Sequence, residues 1–70
     1  MPEMEYVAST NVEAIGYDAE TQELHVQFTS GHTYIYSPVE EWVFEELRAA
    51  PSKGSFINRE LKGRYEYRQE

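Results

Sequence analysis

Leu24, Val26 and Phe28 alternate strictly with His25, Gln27 and Thr29. A period of two sustained in this way marks a strand with one face in the core. Upstream, the apolar stretch from Val12 to Asp18 leans to β structure, and Asp18-Ala19-Glu20-Thr21 puts an acceptor side chain at the first position of a turn. Downstream, Thr29-Ser30-Gly31 turns the chain into His32–Tyr36, which is β-branched and aromatic. The pattern predicts a three-stranded antiparallel meander over about 12-18, 22-29 and 32-37.

The second turn decides where two tyrosines point. If Ser30-Gly31 is a two-residue loop, Val26 pairs with Ile35, and Tyr34 and Tyr36 form an exposed strip with His25 and Gln27. If Gly31 is left-handed after a type I turn, Phe28 pairs with His32 and the tyrosines join the Leu24/Val26/Phe28 face. The second register is favoured, because glycine takes φ > 0 without steric cost and stands where that turn needs it.

Ser37-Pro38-Val39-Glu40 reads as a helix start: capping serine, proline at the first helical position, glutamate completing a capping box. Val39, Trp42, Val43 and Leu47 follow at spacings of three and four, opposite Glu40, Glu41, Glu45 and Glu46. Pro51 ends this helix, predicted over about 38-50. Ser55 then caps a second one over about 55-62, whose apolar side is Phe56, Ile57 and Leu61 and whose stop is Gly63. The expected class is α+β, with both helices packed on one sheet face. Residues 1-8 are expected to be an N-terminal arm, 9-65 the single domain and 66-70 a tail.

At 70 residues the core is near the lower size that holds a fold unaided, so an elaborate buried active site has no room. The chain has no cysteine, which excludes disulfides and thiolate chemistry and suits a reducing cytoplasm. No apolar run approaches a membrane span, and Met1-Pro2-Glu3-Met4-Glu5 is acidic where a signal peptide is basic. A cytoplasmic protein with no membrane partner is expected. Net charge is −7, yet the first 47 residues hold ten acids and no lysine or arginine, so every cation lies at or beyond Arg48. Between residues 53 and 68, Lys53, Arg59, Lys62, Arg64 and Arg68 face only Glu60 and Glu66, a local +3.

Catalysis finds little in the residues. His25 and His32 lack the spaced companions a metal needs and read as solvated or rim side chains. The serines sit at turns and caps, and the acids at exposed helix and turn positions. No enzyme, metal or cofactor is expected.

Taken in order, Ser9, Asn11, Ile15-Gly16-Tyr17-Asp18, Leu24-x-Val26-x-Phe28, Gly31-x-x-Tyr34-x-Tyr36, Ser52-x-Gly54-x-Phe56-x-Asn58 and Tyr65 resemble the KTSC domain. That family is a module at the C-terminus of some lysyl-tRNA synthetases and also occurs as free-standing small bacterial proteins with a central Tyr-x-Tyr. Family members often place Val-Pro after the second tyrosine, whereas here Pro38 precedes Val39. The resemblance implies a domain of unknown function with RNA binding. Together with the basic end, it makes a small non-enzymatic module the expectation, binding RNA or tRNA weakly through Tyr34, Tyr36, Lys53, Asn58, Arg59, Lys62, Arg64, Tyr65 and Arg68. The alternative is a protein-interaction module using the acidic helix side or an open sheet edge, as a monomer or weak dimer.

Overall fold

The computed structural model describes residues 2–70; Met1, at the start of the expected arm, lies outside the described residues. Five antiparallel strands form one sheet in chain order. They are β1 (Glu5–Tyr6), β2 (Val12–Asp18), β3 (Glu23–Phe28), β4 (Thr33–Tyr36) and β5 (Tyr67–Gln69). Between β4 and β5 come α1 (Glu41–Ala49), α2 (Lys53–Phe56) and a π-helical turn, Ile57–Leu61. The central meander falls where the alternation places it. The arm and tail each contribute a further strand, so the sheet has five strands and not three. Both additions are too short, at two and three residues, to show a period.

The favoured β3–β4 register is the one observed. Gly31 has φ +99°, the Phe28 amide donates to the His32 carbonyl at 2.8 Å, and Val26 and Leu24 face Tyr34 and Tyr36. β2 carries a bulge: Val12 pairs with Phe28 but Ala14 with Gln27, leaving Glu13 as the extra residue. For that reason Val12 and Ile15, three apart, both join the helix-facing core. There they meet Leu24, Val26, Tyr36, Val39, Val43, Leu47, Phe56, Ile57 and Leu61.

Two helix starts differ from expectation. Ser37 does not cap α1; the Ser37–Pro38 peptide is cis, the chain stays extended, and α1 begins at Glu41 after Glu40. The sheet claims the would-be first turn. The Val39 amide donates to the Gln22 carbonyl at 2.8 Å, the Tyr17 hydroxyl donates to the Val39 carbonyl, and the Val39 side chain is fully buried. With Val39 off the helix, the apolar stripe turns toward Phe44, which stacks on Tyr17 at 5.4 Å. Trp42, expected in that stripe, is 58% exposed. The second helix is capped by Ser52, whose hydroxyl accepts the Ser55 amide at 3.3 Å, so Ser55 is not the cap. Phe56, Ile57 and Leu61 are buried as the spacing predicts.

The other sheet face is also covered. Ala14, His25 and Ile35 are buried there, and Pro2–Met4 lie against Gly16 so closely that a Cβ on it would stand 2.6 Å from Met4 Sδ. His25 is therefore buried, not solvated or at a rim. Its place in the polar half of β3's alternation hides a second dry face. Its Nε2 lies 3.5 Å from Glu23 Oε1, and Glu23 Oε2 accepts from Arg68 on β5 at 3.1 Å. That hydrogen bond holds the Glu23 carboxyl below its ordinary range. His32 is exposed as expected, and its Nδ1 lies 2.9 Å from Gln69 Nε2.

Candidate functional site

Where β4 and β5 run beneath the π-helical turn, the molecule opens a cleft of about 390 Å³. Its floor is aromatic. Tyr34 and Tyr67 stack with centroids 5.0 Å apart and planes at 15°, Phe28 meets Tyr34 edge-on at 5.3 Å, and Tyr36 tilts against Tyr67 at 5.7 Å. The β3–β4 register puts Tyr34 and Tyr36 on this side, and pairing of Tyr36 with Tyr67 brings in the third ring. Tyr36 is 3% exposed and belongs to the core, while Tyr67 is 57% exposed. Burial, then the neighbouring Tyr34 and Tyr67 hydroxyls, pushes the Tyr36 phenol above its ordinary value. The other wall brings Asn58 and Lys62 from the π-helical turn and its end, with His32 and Asn11 at the margins.

A second hollow of about 360 Å³ adjoins the first and shares Asn11, Gly54 and Asn58 with it. Its lining is small and neutral: Ser9, Thr10, Ser52 and Ser55 contribute hydroxyls, and neither a carboxylate nor a cation takes part. The Ser9 and Ser52 oxygens accept backbone amides of Val12 and Ser55, leaving their protons free to be donated.

Of the nine residues proposed from sequence, four meet at the cleft: Tyr34, Tyr36, Asn58 and Lys62. The rest lie elsewhere. Lys53 Nζ donates to the carbonyls of Arg48 and Ala50 at 3.0 and 2.6 Å, closing the end of α1. Arg59 lies 3.1 Å and Arg64 3.7 Å from the one carboxylate of Glu60, and Arg59 also covers the Phe56 ring. Arg68 pairs with Glu23, and Tyr65 packs partly buried against the core. Among the described residues Lys62 makes no ion pair. The stretch that carries +3 in sequence thus offers a single unengaged cation, and that cation stands at the cleft.

Phe28, His32 and Tyr67 also line the cleft and are not among those nine. The aromatic pair Tyr65 and Tyr67 beside the basic end is a signal for Tyr67, but its place over Tyr34 depends on a three-residue strand too short to read. Asn11, Ser52 and Gly54 also have one: they belong to the motifs that carried the resemblance, and residues of those motifs spaced far apart in sequence converge on the two hollows. Among the described residues no group of three or more His, Cys, Asp or Glu side chains is placed to hold a metal ion. No helix among them is long and apolar enough to cross a membrane.

Comparison with known proteins bears on the family and the fold. The family model of the KTSC domain matches residues 8–65. A protein of Tsukamurella paurometabola is 45% identical over 62 residues, 89% of this chain and 92% of its own length. A lysine–tRNA ligase of Trichormus variabilis is 43% identical over 53 residues, 76% of this chain but only 9% of the ligase. The crystal structure of a KTSC domain protein from Yersinia pestis superimposes with a TM-score of 0.93 at 32% identity, covering 100% of this chain and 99% of that one. With its family model, relatives and fold in agreement, the chain belongs to the KTSC domain family.

Proposed function

We propose that the protein is a non-enzymatic binding module that holds an unpaired stretch of RNA in the tyrosine cleft. The observation that carries this is the Tyr34–Tyr67 stack, 5.0 Å apart and open to solvent through Tyr67, with the unpaired Lys62 beside it. Aromatic rings on a sheet accept the faces of splayed bases whatever their sequence, and one cation steadies a phosphate alongside. Contact is local. A body at −7 repels phosphate, and Arg59, Arg64 and Arg68 are each already paired, so stacking supplies most of the affinity. tRNA is the RNA to test first, because relatives include lysine–tRNA ligases, of which this chain spans about a tenth.

Amide chemical-shift titration with single-stranded RNA and with tRNA tests the proposal. Shifts should cluster on Tyr34, Tyr36, Asn58, Lys62 and Tyr67, and Tyr67→Ala should weaken binding by about 1–3 kcal/mol, the worth of one stacked base. An unmoved cleft at saturating RNA would end this reading.

A second reading rests on Trp42, 58% exposed on α1 among Glu40, Glu41, Glu45 and Glu46. An exposed tryptophan ringed by acids is what a basic protein partner would cover. Charge reversal at Glu41 and Glu45 that leaves a captured partner bound would refute it.

A further inference from the structure

We infer that the hydroxyl-lined hollow beside the cleft reads the ribose 2′-hydroxyl, so that the module takes RNA and discriminates against DNA. The inference rests on the cleft reading, since it assumes a base on the tyrosines. That base carries its sugar with it, and a concave surface adjoins the aromatic floor in the hollow that shares Asn11, Gly54 and Asn58 with the cleft.

The chemistry of the lining decides which part of the strand belongs there. A phosphate calls for a cation, and none lines the hollow; Lys62 lines only the aromatic cleft. A sugar hydroxyl calls for neutral groups that both donate and accept. The carboxamides of Asn11 and Asn58 offer both, and they have no hydrogen-bond partner among the described residues. The Ser9 and Ser52 hydroxyls add donors, because their oxygens are occupied by backbone amides and their protons are not. Gly54 keeps the shared wall low, standing near the Asn11 side chain. The 2′-hydroxyl is the one group at that position that separates RNA from DNA. A deoxy strand would leave the carboxamides to water or unpaired beneath the sugar.

The experiment compares a six-nucleotide adenine RNA, its 2′-deoxy counterpart and its 2′-O-methyl counterpart by amide-shift titration of the whole chain. RNA is expected to bind about tenfold more tightly than the deoxy strand, the factor one lost hydrogen bond gives, and the methylated strand to fall nearer the deoxy one. Asn58→Ala should bring the RNA-to-DNA ratio close to one. Asn58 is exposed, and an unchanged spectrum away from the hollow will show that the variant is folded. Equal binding of RNA and DNA by the unaltered protein would overturn the inference while leaving the cleft standing. A preference that survives both Asn58→Ala and Asn11→Ala would overturn it as well. If neither strand binds, the cleft reading falls and this inference falls with it.

Discussion

Salt dependence separates a stacking cleft from a basic patch more sharply than affinity does. Each phosphate contact on a single strand contributes about −0.7 to the slope of log affinity against log salt. If Lys53, Arg59, Lys62, Arg64 and Arg68 all met phosphates, raising KCl from about 50 to about 200 mM would weaken binding about 130-fold. The geometry leaves Lys62 alone for that purpose, since Lys53 is spent on the end of α1 and the arginines on Glu60 and Glu23. One contact over the same change costs only about 2.6-fold. The assay is titration of a short single-stranded RNA at several KCl concentrations, for the unaltered chain and for Lys62→Gln. The expected slope is near −0.7 for the former and near zero for the latter. A slope steeper than about −2, or one that Lys62→Gln does not change, would refute the reasoning and return the ligand to the arginines.

Other expectations concern the fold. Gly16→Ala would set a methyl 2.6 Å from Met4 Sδ and 2.8 Å from the Glu3 carbonyl oxygen; the N-terminal residues must lift, costing about 1–3 kcal/mol in a urea titration, and an unchanged midpoint would show that they do not pack there. Leu24, fully buried, should lose about 3–5 kcal/mol on truncation to alanine, a large part of the roughly 4–10 kcal/mol available to a chain of this size, while Trp42→Ala should stay within about 0.5 kcal/mol. At alkaline pH, Tyr17 and Tyr36 have phenols raised above 10.0, chiefly by burial. Their contribution is complete below pH 10 and is lost as pH climbs through the raised values, so Tyr36→Phe should shrink the alkaline fall in urea midpoint, and a parallel fall in both proteins would count against it. Glu23 has the opposite sign: its carboxyl lies below 4.5 because of Arg68, its contribution is present above that pH and lost in more acid solution, and Glu23→Gln should flatten the acid limb.

The middle of this fold was legible because its signals are local. β3 alternates, Gly31 stands where a left-handed residue is required, and Phe56, Ile57 and Leu61 have helical spacing. What escaped reading depends on distant partners. Ser37-Pro38-Val39-Glu40 has every mark of a cap, but the Val39 amide is taken by Gln22, seventeen places earlier in the chain. Tyr67-Arg68-Gln69 is a strand only because β4 offers an edge to pair with. His25 occupies a polar phase, and nothing local says that the far face of the sheet is covered. The candidate site divides in the same way. Tyr34 and Tyr36 were visible as a motif and Lys62 as a charge, whereas Glu60, which enters the local +3 as a single negative charge, engages two cations at once, Arg59 one residue away and Arg64 four away.

The bulge at Glu13 can be put in terms of a reading frame. Ala14 to Asp18 is written in one phase against β3, and the residues up to Val12 in another, with Glu13 as the single letter between them. Removing that letter would leave Val12 two places before Ile15, so a regular strand keeps Val12 opposite Phe28 and in the core, and Asn11 stays at the wall shared by the two hollows. Ironing the bulge out with Glu13 still in place is the damaging change: the upstream segment would then turn over, taking Val12 from the core while the pairing of Ala14 to Asp18 stood.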